Sequence, residues 1–353
     1  MLLYIHIPFC DSKCHYCAFN SYTYLHHLKK DYINSLKKQL IFELEKQNKQ
    51  IETIFIGGGT PSTIESQYFA EILDIVKPYF LTDDIEITIE ANPNSATLKW
   101  LEGIYKTPIN RVSFGVQSFD DEKLKFLGRN HISKQAIKAI KDSFNIGFKH
   151  INIDIIYDTS LDTKELLQKD FAIIKQLPID HISCYSLTIE EKTKFYNTPQ
   201  YKVENIKLAN YIFTELNNLG FTQYEISNFA KKTSSRSRHN LGYWQYKEYL
   251  GVGSGAVVMI DYKRYYTFTD VQQYIKNSTN YEEIENLSSK DILTEKILLG
   301  FRSDVGVDLD ILSKDQLKKI QILKDEKKIY IKDNIAFNYD FLLSDELALY
   351  LSP

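Results

Sequence analysis

The chain has 353 residues, 43% of them hydrophobic and 25% charged, with a formal net charge of -3. That length suits one large domain plus a smaller one, and the composition is that of an ordinary globular protein. The charge balance argues against a globally basic nucleic-acid binder, and no apolar run approaches the ~18 residues of a membrane helix.

The first predicted element is a strand, Leu2–Ile7, which runs straight into a cysteine-rich loop and does not read as a signal peptide. Cys10, Cys14 and Cys17, three of the four cysteines, fall within eight residues at C-x3-C-x2-C spacing. Three thiolates this close serve one metal centre more readily than a disulfide, which would leave one thiol over. They cannot complete a four-iron cluster, so one iron is left for another ligand, as in a catalytic rather than a closed structural site. A zinc knuckle is the competing reading, but no fourth Cys or His has zinc-ligand spacing. Cluster thiolates need a reducing compartment, which makes the cytoplasm the expected location.

A helical pattern through Leu25, Leu28, Tyr32, Leu36, Leu40 and Leu44 follows. Strand-like and helix-like stretches then alternate. Strands are expected over 51–56, 85–90, 111–116, 151–156 and 181–187, with helices near 66–76, 96–105, 121–127, 133–145, 164–177 and 204–219. Six βα units predict an α/β fold, an open partial (β/α)6 barrel with outer helices. Catalytic groups in such folds gather at the C-terminal ends of the strands. Here the cysteine loop, Gly57-Gly58-Gly59-Thr60-Pro61, Glu90-Ala91-Asn92-Pro93 and Gly115-Val116-Gln117-Ser118 end strands one to four, with Asp154 and Tyr185 in strands five and six. All six features are expected on one rim. The glycines let backbone approach a ligand, and the half-buried Glu90 needs a cationic or N–H partner. Cys184, in an apolar strand, reads as a core thiol.

The cysteine spacing, with the aromatic Tyr16 two residues after Cys14, resembles the radical S-adenosylmethionine (SAM) superfamily, in which the open iron of a [4Fe-4S] cluster takes the amino and carboxylate groups of SAM. Ile5-His6-Ile7-Pro8-Phe9-Cys10 narrows the resemblance to the branch containing oxygen-independent coproporphyrinogen III oxidases and HemW-type heme chaperones. It implies that Tyr4, Gly58 and Glu90 surround the cluster-bound SAM. It also matches Tyr16, Gly59, Thr60, Gln117, Arg129 and Asp154 to residues around a second SAM in the oxidases. Tyr157-Asp158-Thr159-Ser160-Leu161 departs from the Gly-Leu-Pro common after strand five in this family. Phe19 stands where the oxidases carry a further Cys, and only nine residues precede Cys10 where they have a long arm. Both departures favour the chaperone branch, and hence a heme-binding protein without coproporphyrinogen oxidase activity that serves recipient heme proteins, membrane-associated ones included. A homodimer is left open.

Residues 1–225 are expected to form the radical SAM core and 226–353 a smaller α+β domain. A polar, basic stretch, Lys231–Arg238, leads into His239-Asn240-Leu241-Gly242-Tyr243-Trp244, which resembles a HemW segment. His239 is the candidate heme ligand, with Tyr243 and Trp244 as flat apolar surface and Arg236 or Arg238 facing propionates; the competing reading is a His that hydrogen-bonds the cluster-side rim or the domain junction. Helices near 289–301 and 314–327, a hairpin turning at Asp333-Asn334 and a helix near 344–351 resemble a winged-helix module. Lys318, Lys319, Lys324, Lys327, Lys328 and Lys332 there are interspersed with acidic residues, a solvated face rather than a nucleic-acid platform.

Overall fold

The computed structural model describes residues 1–352. Strand β1 (Leu2–Ile7) leads through the cysteine loop to helix α1 (Lys29–Glu45). Then come β2 (Thr53–Gly58), α2 (Ser66–Val76), β3 (Glu86–Ala91), α3 (Leu98–Tyr105) and β4 (Arg111–Gln117). Helices α4 (Asp121–Phe126) and α5 (Ser133–Ile146) precede β5 (His150–Tyr157), α6 (Lys164–Ile174), β6 (His181–Ser186) and α7 (Ile206–Asn218). Strands β1 to β6 pair in parallel and in chain order.

This parallel run is half of a larger sheet. Two short strands, β7 (Thr222–Gln223) and β8 (Asn228–Ala230), add antiparallel pairing beyond β6. After α8 (Arg238–Trp244), strand β9 (Tyr249–Val252) returns to the other edge and pairs in parallel with β1. Strands β10 (Val257–Ile260), β11 (Lys263–Tyr266) and, after α9 (Val271–Lys276), β12 (Glu283–Asn286) extend that edge antiparallel. The result is one mixed sheet of twelve strands. The sequence reading anticipated the six parallel strands but none of the flanking ones.

The two faces of the parallel strands differ, because successive side chains alternate. Leu3, Ile5, Ile54, Ile56, Ile87, Ile89, Val112, Phe114, Ile151 and Ile153 form one continuous core with the apolar stripes of the helices. Each fully buried aliphatic there contributes ~1.5–3 kcal/mol. The alternate residues Thr53, Glu86, Thr88, Arg111, Ser113, Asn152, His181 and Ser183 are polar and also buried. A second, polar interior therefore lies on the opposite face, and the expected site residues Tyr4, Glu90 and Asp154 share its register. Side-chain caps start the helices where the strands hand over, Thr97 before α3, Asp120 before α4 and Thr163 before α6.

Beyond the large sheet, α10 (Ser289–Phe301), β13 (Val307–Asp308), α11 (Lys314–Asp325), β14 (Ile329–Lys332), β15 (Ile335–Asn338) and α12 (Ser344–Leu351) build a small module. Its antiparallel sheet runs β13-β15-β14, and it has its own core around Phe301, Ile320, Leu323 and Leu347. Ser288 and Ser313 begin α10 and α11 with capping boxes. No helix among the described residues is long and apolar enough to cross a membrane.

Candidate functional site

The loop between β1 and α1 crosses the C-terminal ends of the strands. Cys10 is anchored by backbone bonds: its N–H donates to the Tyr22 carbonyl at 3.0 Å, and the Tyr22 N–H donates to Pro8 at 2.7 Å. The Lys13 ammonium donates to the Phe19 carbonyl at 2.6 Å and to the Ser21 hydroxyl at 2.7 Å, closing the loop on itself. Cys10, Cys14 and Cys17 are all free thiols and all line one cavity of about 110 Å³. Burial pushes the Cys10 and Cys17 thiols up. Hydrogen bonds already point at two of the sulfurs: the Thr60 hydroxyl donates to Cys10 Sγ at 3.3 Å, and Arg129 Nη1 donates to Cys14 Sγ at 3.1 Å.

The other strand ends supply the rest of this cavity. Gly58, Gly59 and Thr60 line it from β2, Glu90 from β3, Gln117 from β4 and Asp154 from β5. Tyr16 reaches in from the cysteine loop, and Arg129 from the segment between α4 and α5. An adjoining cavity of about 360 Å³ shares Tyr16, Glu90, Gln117 and Asp154 and adds Tyr185 and Leu187 from β6 and its following loop. Phe19, 69% exposed, borders both.

Local geometry explains several of these residues. Gln117 adopts φ 72° where the β4–β5 register shifts, a left-handed conformation unusual for a non-glycine residue. Gly58 has φ 111°, and a Cβ there would meet the His6 ring at 2.5 Å. A Cβ on Gly59 would meet the Phe9 carbonyl at 2.8 Å. The glycines are thus required by protein neighbours that seat the cysteine loop, rather than only by the approach of a ligand. Gly58→Ala is expected to cost roughly 2–4 kcal/mol of stability, from strain plus overpacking, read by chemical denaturation.

The electrostatics favour a cationic ligand. Glu90 accepts from the Gly58 N–H at 3.1 Å, yet burial and the nearby Asp154 push its carboxyl up to about 8. Asp154 is pushed up to about 6 by burial, against the pull of Asn152, Ser183 and Arg129. Arg129 also donates to Asn92 Oδ1 at 2.8 Å and to the Gly115 carbonyl at 2.6 Å, which leaves its buried Nε without a partner. Two carboxyls that resist ionisation and the Arg129 guanidinium line the same cavity as the thiols. That donor set fits a site-differentiated cluster beside an amino-acid-like ligand carrying both amino and carboxylate groups. Among the described residues no three ligand side chains converge on a single-ion position. In a cuboidal cluster each thiolate takes its own iron.

Two expected residues stand elsewhere. Tyr4 lies beneath the cavity, where its hydroxyl donates to His6 Nδ1 at 2.9 Å while His6 Nε2 donates to the Asn20 carbonyl at 2.8 Å. His239 is not brought to this rim at all. It packs at the far ends of the strands, 1% exposed, with Nδ1 2.9 Å from the Thr53 hydroxyl and Nε2 3.3 Å from that of Tyr243. Arg236 pairs with Asp304 and Arg238 with Asp84. Asn92 and Lys13 were not selected from the sequence. Asn92-Pro93 at a strand end was the available signal for the first, and nothing marked the second.

Comparison with known proteins accords with this arrangement. The description of the radical SAM superfamily matches residues 4–170. The heme chaperone HemW of Bacillus subtilis is 33% identical over 320 residues, covering 86% of this chain and 84% of the relative. The heme chaperone HemW of Escherichia coli is 38% identical over 265 residues, covering 72% and 68%. Among solved structures, coproporphyrinogen III oxidase (HemN) from Escherichia coli, a radical SAM enzyme, superposes with TM-score 0.82 over 99% of this chain and 90% of that one, at 20% identity. That last likeness concerns the fold alone, while the extended identities reach the family level: the chain belongs to the HemW family of the radical SAM superfamily.

Proposed function

We propose that this chain is a heme chaperone of the cytoplasm. It carries a [4Fe-4S] cluster on Cys10, Cys14 and Cys17, takes SAM at the open iron, and binds heme for delivery to respiratory heme proteins. One observation carries the reading: 33% identity over 86% of the chain to a heme chaperone, against 20% to an oxidase of the same fold. When bound, cluster and SAM supply one-electron chemistry at the open iron. The chain's own residues bind and orient. Glu90 accepts a hydrogen bond from the SAM amino group, Tyr4 and Gly58 support that end, and the Arg129 guanidinium supplies positive charge for an anionic group. Tyr16, Gly59, Thr60, Gln117 and Asp154 complete the SAM surroundings, with Asp154 accepting from ribose hydroxyls.

In the same reading, β1 to β6 are an open partial (β/α)6 barrel and residues 1–225 the radical SAM core. Residues 226–353 are the HemW-type C-terminal domain, ending in a winged-helix-like module. The heme ligand is His239. Both its ring nitrogens are engaged as folded, so heme ligation entails release of the imidazole, either from Thr53 of β2 or from the Tyr243 hydroxyl one turn along α8.

An anaerobic experiment tests the function. The cluster is reconstituted, and the protein is offered heme, or coproporphyrinogen with SAM and a reductant. A heme-dependent spectral shift without porphyrinogen conversion is expected. Production of protoporphyrinogen, or no heme shift, overturns the reading. His239→Ala is expected to weaken heme binding at least tenfold and to change the heme spectrum, since an iron–imidazole bond is lost; an unchanged spectrum removes His239 as the ligand.

A further inference from the structure

The rim pocket and the α8 segment lie at opposite ends of the parallel strands, yet one hydrogen-bond chain joins them through the polar interior. Asn152 Nδ2 stands 2.8 Å from Asp154 Oδ1 and 2.8 Å from Ser113 Oγ. Asn152 Oδ1 is 2.6 Å from His181 Nδ1. His181 Nε2 is 2.7 Å from the Tyr224 hydroxyl, which accepts from the Ser237 N–H at 3.1 Å. Asn152, His181, Tyr224 and Ser237 are all buried.

The direction of every bond follows from which groups can donate. Asn152 must turn its amide NH₂ toward the Asp154 carboxylate, so its carbonyl oxygen faces His181. His181 Nδ1 therefore carries the proton, and Nε2 is the acceptor for the Tyr224 O–H. Burial holds the His181 pKa well below its usual value, in keeping with a neutral ring. The protons thus point in series from the Ser237 amide through Tyr224, His181 and Asn152 to Asp154. Such a series polarises cooperatively, and most strongly when its last acceptor is charged.

At the other end the chain meets the start of α8. Ser237 is the N-cap of that helix and accepts from the Asn240 N–H at 3.2 Å. Glu86 accepts from the next two amides, Arg238 at 2.9 Å and His239 at 3.0 Å. Tyr224 also accepts through its carbonyl from the Asp304 N–H at 2.9 Å, at the edge of the C-terminal module. Tyr224 is therefore the junction, its hydroxyl joining the strand interior to the His239 helix and its carbonyl reaching that module.

We infer that His181 and Tyr224 are positioning residues that couple Asp154 in the rim pocket to the N-terminus of the His239 helix. A ligand that donates hydrogen bonds to Asp154 and a change in the docking of α8 then alter each other's free energy, and the coupling is reciprocal. The inference rests on the reading of Asp154 as a SAM contact, and the test separates the two. SAM is titrated into cluster-loaded wild type and Tyr224→Phe, and amide exchange at Arg238 and His239 is followed in both. Roughly tenfold weaker SAM binding is expected in the variant, together with SAM-dependent slowing of those amides in wild type only. In cluster-free protein without ligand, the His181 Nδ1–H proton resonance is compared between wild type and Asp154→Asn. It is expected to move upfield as the terminal charge is lost. Equal SAM affinity in wild type and Tyr224→Phe overturns the inference, as does a His181 resonance indifferent to Asp154→Asn. Failure of wild type to bind SAM overturns the reading of the pocket instead, and the cluster-free comparison still decides the coupling. That comparison also stands if Tyr224→Phe does not fold.

Discussion

Replacing Cys10, Cys14 or Cys17 singly with Ala should abolish the iron–sulfur cluster while leaving the fold in place. The three sulfurs touch few protein groups. Cys10 receives the Thr60 hydroxyl and Cys14 the Arg129 guanidinium, and the backbone bonds that seat the loop do not involve the thiols. Each cluster iron needs its own thiolate, so two cysteines leave two irons open and the cluster is lost or degraded. The expected result is a loss of essentially all reconstituted iron and sulfide and of the charge-transfer absorption. The thermal midpoint of the cluster-free protein should move by no more than ~1 kcal/mol equivalent. Cys184→Ala supplies the contrast. Its side chain is 2% exposed within β6 and faces the helix-covered core, so its loss should cost roughly 1–2 kcal/mol of stability. Iron content should be unchanged. A variant of Cys10, Cys14 or Cys17 that keeps a full cluster would remove that residue as a ligand.

The contrast between these cysteines was legible because spacing is local information. Three thiols in eight residues can meet whatever the rest of the chain does. Strands β1 to β6 were legible for a similar reason: runs such as Glu86–Ala91 alternate cleanly, and each is followed by an amphipathic helix. Strand β9 was not. Its four residues, Tyr249–Val252, are a strand chiefly by pairing with Leu2–Ile5, at the start of the chain. Strand β12, Glu-Ile-Glu-Asn, is an exposed edge whose polarity reads as loop. His239 shows the same limit at a single residue. Its neighbours in sequence are basic residues and aromatics, which suggested a heme ligand. Its burial depends on Glu86 and Thr53, which the strand register brings beneath α8. The chain of Asp154, Asn152, His181 and Tyr224 was likewise hidden: Asn152 and Asp154 share β5, but the links onward to His181 and Tyr224 cross between elements far apart in sequence.

Glu90→Gln is expected to stabilise the ligand-free protein while weakening its hold on SAM. Burial and Asp154 raise the Glu90 carboxyl from 4.5 to about 8. Between those values the native protein holds a proton that the unfolded chain has released. The Glu90 contribution to stability is therefore fully present below pH 4.5 and is lost as pH rises toward 8. At pH 8 the full penalty is present, and Gln, neutral at every pH, avoids it while its carbonyl can still accept from the Gly58 N–H. The variant should gain roughly 1–3 kcal/mol over wild type at pH 8, and little near pH 5, in denaturation of cluster-free protein. SAM affinity should move the other way and fall on the order of 100-fold, because the buried amino group loses its charged hydrogen-bond acceptor. In wild type the N–H groups of that amine favour the ionised form of Glu90, so binding releases its proton. SAM should accordingly bind more tightly as pH rises from 6 to 8, and that dependence should flatten in Glu90→Gln. A residue kept for packing would show the reverse: lower stability in the variant at every pH and no change in the pH profile of SAM binding. Stability and ligand affinity pulling in opposite directions at one carboxylate is the signature of a group held for a ligand it must meet.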